Sequence, residues 1–161
     1  MRPTEPLPLY HSWPLIALAE HMMPAMLDAT ISAHDAGLAD RGIGLWHCDL
    51  SDNALRWSAG IYDLFGLPRG DIVSRQQAVA LYDPASREPM ERLRDYAIRF
   101  RRGFTLDIDL HPAGGAPCAV RLIATPVLGV RDEVIALRGV KQKLPPGCGA
   151  SRQEPKIFVT L

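Results

Sequence analysis

The spacing of apolar residues changes at Gly103, and this change limits what the chain can fold into. Before it, apolar residues recur every three or four positions, the spacing of one helix face; after it they recur every second position, the spacing of a half-buried strand. The helical set is Met90, Leu93, Ala97 and Phe100, and the alternating set is Phe104, Leu106, Ile108 and Leu110. The switch predicts a helical crossover over residues 59–102 that is followed by a β-sheet.

Strand-forming residues occupy five segments: residues 42–50, 54–58, 103–110, 118–127 and 134–143. Turn-forming residues separate neighbouring segments, as in Ser51-Asp52-Asn53 and Gly114-Gly115. Two strands, a helical crossover and three further strands cannot all be parallel. We therefore predict an α+β fold, with a five-stranded antiparallel sheet, the helical crossover on one of its faces, and helices preceding the sheet.

Three helices are predicted within the crossover. Ser58 is a candidate N-cap for a helix over Ala59–Phe65, which Gly66 ends. A second short helix is predicted over Gln76–Tyr82. The pair Asp83-Pro84 predicts the start of the long helix, because the carboxylate caps the first turn and proline suits the first position; Pro89 is an alternative start.

Two apolar stripes precede the first strand. Ser12 is a candidate N-cap for a helix whose face carries Leu15, Leu18, Ala19 and Met22. Pro24 interrupts this helix because proline lacks the backbone N–H, and it can open a second helix. The face of the second helix carries Leu27, Ile31, His34 and Leu38.

These patterns divide the chain into three parts. Residues 1–41 form an N-terminal extension with one or two amphipathic helices, residues 42–143 form the folded domain, and residues 144–161 form an irregular, proline-containing tail. Pro145-Pro146-Gly147 follows the last strand directly and cannot continue a helix, which leaves a free-standing domain or a piece of a longer protein as alternatives.

Composition argues against several classes of protein. Eighteen basic and eighteen acidic residues cancel at a pI of about 7.0, which argues against a strongly basic nucleic-acid binder. No apolar run approaches the roughly 18–20 residues that span a bilayer. The three cysteines, Cys48, Cys118 and Cys148, are too few and too dispersed for a disulfide framework. We expect a cytoplasmic protein with no membrane or nucleic-acid partner.

The segment GIGLWHCDLSDNALRWSAGIYDLFGL, at residues 42–67, resembles the opening of bacterial PAS sensor domains that begin with a tryptophan-containing strand. The matching residues are Trp46, Asp49, Leu55, Trp57, Ser58, Tyr62, Phe65 and Gly66. The resemblance extends over about residues 42–143, and Tyr82 stands where that family usually has a histidine. It implies a PAS fold and a sensory or regulatory role in bacterial signal transduction, with a kinase, cyclase or transcription regulator as partner.

Two cofactors of that family are disfavoured by the sequence. Haem-binding members use a histidine on the long helix, and residues 84–102 contain none; flavin-binding photoreceptor members use a cysteine on a central helix, and none lies between Cys48 and Cys118. The cofactor is therefore unknown. The resemblance places a ligand pocket between the sheet and the short helices, with six candidate lining residues that also suit a filled core: Phe65, Leu81, Leu93, Leu106, Ile108 and Leu122.

No catalytic or metal-binding constellation can be assembled. Asp107 and Asp109 share one strand face, which the alternation places toward solvent, where Arg121 or Arg138 can pair with them. The five histidines show no i, i+3 or i, i+4 pairing, so no local metal site is expected. We expect a non-enzymatic sensory domain; a pure interaction module without ligand and a small enzyme on a cone-shaped α+β fold are the alternatives.

The N-terminal stripes are longer than a lone surface helix needs. They pack either on the open face of their own sheet or on a second subunit. Leading helices of related sensor domains commonly mediate dimers, so a homodimer is predicted. Its candidate interface residues are Leu18, Met22, Leu27, Ile31 and Leu38.

Overall fold

An antiparallel sheet organises the computed structural model, which describes residues 11–21 and 35–146. Its strands are β1 (Ser12–Pro14), β2 (Ile43–Asp49), β3 (Leu55–Trp57), β4 (Arg102–Leu110), β5 (Cys118–Leu128) and β6 (Val134–Lys143). The helices are α1 (Leu18–His21), α2 (Asp35–Asp40), α3 (Ala59–Phe65), α4 (Arg75–Ala80) and α5 (Pro84–Phe100), and a 3-10 turn covers Leu15–Ala17. The predicted α+β class is confirmed, with the crossover between β3 and β4. The sheet has six strands rather than the predicted five, because β1 pairs with the edge of β4.

The strand order across the sheet is β1-β4-β5-β6-β2-β3, and every neighbouring pair is antiparallel. The two hairpins of the sequence, β2–β3 and the β4–β5–β6 meander, meet through β2 and β6. Pairing runs from Ile43 opposite Gln142 to Asp49 opposite Ala136. This register places Trp46, Gly139 and Ala124 in one row on the sheet face that α3, α4 and α5 cover, which we call the inner face.

Helix starts follow the local capping signals. Asp83 accepts a hydrogen bond from the Ala85 N–H, and α5 continues through Pro89 without a new start. Ser74 and Gln77 form a reciprocal capping box at α4. The predicted helix over Gln76–Tyr82 ends early, at Ala80, because Tyr82 leaves it to form a β-bridge with Leu110. Backbone pairing with the sheet therefore overrides the last helical turn.

The inner face and the crossover helices enclose the main core. Ile61, Phe65, Leu93, Ile108 and Val120 are fully or almost fully buried there. The Trp57 and Phe65 rings stack with centroids 4.8 Å apart. This core holds α3 and α5 against the sheet and leaves α4 to cover the part nearest β2 and β3.

The prediction of a helix beginning at Ser12 is wrong. Residues 12–14 instead pair with Phe104, Gly103 and Arg102 as strand β1, and helical structure begins only at Leu15. The edge of β4 offers unpaired backbone groups, and the Trp13 indole is buried where Gly103 has no side chain. These contacts outweigh the local helix signal.

A second apolar cluster lies on the opposite, outer face of the sheet. Trp13, Leu45, Ile123 and Val140 form its buried part, and Leu18 and Leu38 pack against it half-buried. Trp13 Nε1 donates to Thr105 Oγ1 at 3.1 Å, and the Trp13 ring stacks on His21 at 4.3 Å between centroids. The described parts of the N-terminal extension thus cover their own sheet.

Candidate ligand-binding cavity

A cavity of about 60 Å³ lies between the inner face of the sheet and helices α4 and α5. Apolar and aromatic side chains make most of its wall. They are joined by three cationic side chains and no carboxylate. The lining residues are Trp46, Cys48, Leu55, Trp57, Arg75, Ala78, Val79, Tyr82, Met90, Arg94, Phe104, Leu122, Leu137 and Lys141.

Lys141 is the unusual member of this wall. Strand alternation puts it on the inner face, opposite Leu122 on β5 and Gly44 on β2, and only 6% of it is exposed. Its Nζ lies 4.7 Å from the centroid of the Trp46 ring and 5.5 Å from that of Phe65. Electron-rich ring faces attract a cation, so these contacts recover part of the hydration that burial removes.

Burial lowers the pKa of Lys141 to about 7. Desolvation is the main cause, because the low-dielectric interior penalises the charged form. The nearby Cys48 thiol raises this pKa and the Arg75 guanidinium lowers it. No carboxylate forms a salt bridge with Lys141 among the described residues, and no hydrogen-bond acceptor there reaches its Nζ.

Trp46 contributes a second donor without an acceptor, and this atom is itself fully buried. Its Nε1–H is inaccessible to solvent and has no hydrogen-bond partner in the structure. Leaving a buried N–H unpaired costs roughly 1–3 kcal/mol, and native proteins rarely do so without a reason. Two unpaired donors, Trp46 Nε1 and Lys141 Nζ, therefore belong to residues that line the same small cavity.

The remaining polar side chains of the wall either have a bonding partner or have a pKa that burial shifts. Arg75 forms an ion pair with Glu91 on α5, and Arg94 donates to Asn53 Oδ1 at 3.1 Å. Burial raises the pKa of the Tyr82 hydroxyl, which keeps it protonated at physiological pH. The cavity consequently combines positive charge with a largely apolar wall.

Comparison with solved structures decides the fold family. An RNA-binding light-oxygen-voltage receptor matches with a TM-score of 0.56 and 18% identity. The match covers 70% of this chain and 31% of the receptor. A second match is the N-terminal domain of a diguanylate cyclase with a PAS/PAC sensor from Marinobacter aquaeolei, with a TM-score of 0.58 and 19% identity. This match covers 63% of this chain and 94% of that domain. The PAS domain of a protein from Colwellia psychrerythraea matches with a TM-score of 0.56 and 15% identity, and the match covers 67% of this chain and 91% of that domain.

This chain has a PAS fold. A scan against protein-family models and a search of curated proteins found no match. At these identities the likeness concerns the fold alone.

The cavity of this PAS fold does not fit a flavin or a haem. Sites that enclose drug-sized molecules run to about 300–1,000 Å³, several times the 60 Å³ found here. The cavity wall holds no histidine, and its one cysteine, Cys48, lies on β2 rather than on a helix.

Of the six residues predicted to line a pocket, Leu122 lies in the cavity wall. Phe65, Leu93, Leu106 and Ile108 are buried in the main core, and Leu81 is half-buried against it. The predicted residues lie on or against the inner face, whereas the free space lies toward β2, β3 and α4.

Sequence reasoning did not select Lys141, Trp46 or Arg75 as site residues. A signal for Lys141 existed, because it continues the period-two set of Leu137 and Gly139 that faces the helices. The following Gln142 and Lys143 make that segment look like a solvated strand end. For Arg75, only the docking of α4 on the sheet brings the side chain to the cavity.

The other polar groups of the PAS sheet lie outside the cavity. Asp107 is on the outer face, where Arg121 Nε donates to its Oδ1 at 2.9 Å and Arg121 Nη2 donates to its Oδ2 at 3.3 Å. Arg121 is one of the two partners that the sequence analysis allowed for this carboxylate. Arg138 lies opposite Thr125 and His47, in a different row from Asp107. No group of three metal-ligating side chains occurs in residues 11–21 and 35–146.

A wider, open groove of about 920 Å³ lies between α3 and the β4–β5 loop. Its polar side chains face solvent. His111 Nε2, for example, lies 2.8 Å from Asp83 Oδ1, and 51% of the His111 side chain is exposed. Exposed groups of this kind gain little from a ligand, so the cavity beside the buried Lys141 is the better candidate site.

No helix in the described parts of the chain has the length and apolar character that crossing a membrane requires.

Proposed function

We propose that this chain is a non-enzymatic sensory PAS domain whose input is a small ligand bound between the inner sheet face and α4 and α5. One observation carries the proposal: Lys141 is buried beside a cavity without an anionic partner. Burying an unpaired ammonium costs several kcal/mol. A ligand that completes the site relieves this cost, and a filled apolar core would not create it.

The size of the cavity limits the ligand. A water molecule needs about 10–15 Å³ of such volume, and an engineered cavity of about 150 Å³ holds benzene. A volume of about 60 Å³ therefore suits a molecule smaller than benzene. This agrees with a metabolite-sized or gas-sized signal rather than a large prosthetic group.

Solved PAS-fold neighbours support a signalling role. They include the N-terminal domain of a diguanylate cyclase and a sensory box histidine kinase/response regulator from Burkholderia thailandensis. By analogy we propose that ligand occupancy alters contact with a bacterial kinase, cyclase or transcription regulator in the cytoplasm. A gene for such a protein beside this one would support this assignment.

Binding rather than catalysis agrees with the position of the carboxylates. Asp107 and Asp109 lie on the outer face, and Asp107 is held by Arg121. The cavity wall contains no carboxylate or histidine that could act as a general acid or base.

The experiment is an NMR titration of the 161-residue chain with small probes. Acetate, acetamide, isopropanol and methylammonium are added to about 20 mM, because so few atoms bind weakly. We expect at least one probe to shift amide resonances of α4 and β6 saturably. The variant Ala78→Leu fills the cavity and should abolish binding, whereas Ala80→Leu, exposed on the same helix, should not.

If no probe binds saturably, the ligand-sensing proposal is wrong. The pure interaction module then becomes the better description, since its activity would need no occupied cavity.

We also propose that the N-terminal extension holds two copies of the chain together. Leu18 and Leu38 pack half-buried on the outer face of their own sheet, while Met22, Leu27 and Ile31 lie outside the described residues. In the sequence the apolar stripes include residues beyond those that cover this face, which favours a second subunit as their partner.

Light scattering tests the dimer. Replacing Leu27 and Ile31 together with aspartate should convert a dimer to a folded monomer, because charged groups oppose burial at the contact. A wild-type chain that is already monomeric at tens of micromolar would end this proposal. A loss of stability without a change in mass would assign the stripes to their own sheet instead.

A further inference from the structure

The unpaired ammonium of Lys141 defines what would complete the cavity wall. Lys141 is 6% exposed, and no carboxylate among the described residues forms a salt bridge with it. Glu91 balances the charge of Arg75, whereas no carboxylate lines the cavity beside Lys141. A ligand that brings negative charge therefore matches the site better than a neutral or cationic one.

We propose that the ligand is a short-chain monocarboxylate of about three to five non-hydrogen atoms, bound through the Lys141 ammonium. This inference rests on the proposed function, because it names the class of ligand for the same cavity. The carboxylate oxygens supply the acceptors that the ammonium lacks, and the ion pair neutralises its charge.

The apolar part of the wall argues for a carboxylate over a more highly charged anion. Leu55, Val79, Met90 and Leu137 line the cavity beside the donors and offer contact to an alkyl group. A phosphate or sulfate needs donors around most of its oxygens, and these side chains provide none. A charged head with a short hydrocarbon tail satisfies both parts of the wall.

Binding is coupled to proton uptake by the lysine. The charged or titratable groups around Lys141 are Cys48 on β2, Arg75 on α4, Tyr82 after α4, and Glu91 and Arg94 on α5. With a pKa of about 7, Lys141 is half-protonated near neutrality in the free protein, and only the protonated form pairs with an anion. Apparent affinity should therefore fall about 50-fold between about pH 7 and pH 9.

The test compares acetate with acetamide, a neutral molecule of nearly the same shape. NMR titrations use the full chain and three variants. Lys141→Met removes the ammonium, Trp46→Phe keeps an aromatic ring but removes the N–H, and Lys143→Met is the matched control because Lys143 lies on the same strand and is exposed. Thermal unfolding of each variant confirms that it is folded.

We expect acetate to bind at least about tenfold more tightly than acetamide at pH 6, and this preference to disappear in Lys141→Met. We expect acetate binding to stay nearly unchanged in Trp46→Phe, which keeps a ring beside the ammonium, and in Lys143→Met. The loss of acetate affinity above pH 7 should also vanish in Lys141→Met, which a purely structural role of Lys141 would not predict.

Three results would overturn the inference in distinguishable ways. If acetamide or isopropanol binds as well as acetate, the cavity senses a neutral ligand and only the carboxylate assignment fails. If no probe binds, the proposed function fails with it. If propionaldehyde is trapped on Lys141 by borohydride while acetate does not bind, the site takes a carbonyl compound through an imine.

Discussion

Replacing Lys141 with methionine should make the free protein more stable, although it removes the residue that defines the candidate site. Burial lowers the pKa of Lys141 from 10.5 to about 7. Since one pKa unit corresponds to about 1.36 kcal/mol, keeping the ammonium in the folded state below pH 7 costs on the order of 5 kcal/mol. Methionine has a similar length and no charge, and replacing buried charges by apolar side chains is often neutral or stabilising by about 1–4 kcal/mol.

The wild-type protein should accordingly gain stability as the pH rises. Between pH 7 and 10.5 the unfolded chain binds a proton on Lys141 that the folded chain has released, so the free energy of unfolding increases with pH. Below pH 7 both states hold the proton and the full penalty is present; above 10.5 neither does and the penalty is gone. The gain from about pH 7 to about pH 9 is on the order of 2 kcal/mol.

Urea unfolding followed by tryptophan fluorescence measures this difference for the wild type, Lys141→Met and the control Lys143→Met. Subtracting the free energy of unfolding of Lys141→Met from that of the wild type at each pH removes the contribution of other groups that titrate in this range. We expect the pH-dependent gain in the wild type and in Lys143→Met, and its absence in Lys141→Met. Equal pH dependence in all three proteins would refute the conclusion that Lys141 titrates near neutrality in the folded state.

Two further predictions concern local contacts that hold elements of the fold in place. In Gly103→Ala the new Cβ would lie 2.2 Å from the Trp13 ring. Expelling the ring should lower the free energy of unfolding by on the order of 3 kcal/mol and expose the indole to solvent, which shifts its fluorescence. An unchanged emission spectrum would contradict this. Gly37→Ala is its control, with no atom within 4 Å, and should be neutral or stabilise α2 by up to about 1 kcal/mol. Ser74→Ala removes the capping box with Gln77 and should cost about 1 kcal/mol, with faster hydrogen exchange in α4; unchanged exchange would show that packing alone holds this helix.

The sequence determined the elements whose signals are local. The alternation after Gly103 predicted β4, and Asp83-Pro84 predicted the first residue of α5. Gly66, with φ of +71°, ends α3 as expected for a left-handed cap. These signals lie within or next to the element that they specify, so they can be recognised without the rest of the chain.

Only the tertiary structure decided where β1 forms and where the cavity lies. Ser12 pairs with Phe104, more than ninety positions away, and the exposed edge of β4 supplies that partner. Strand parity alone could place Lys141 on the inner face. Its burial depends on α4 docking over the sheet, and the same docking brings Arg75 to the cavity, where Glu91 of α5 pairs with it. Burial and pairing are properties of distant elements brought together, and they set the charge of the candidate site.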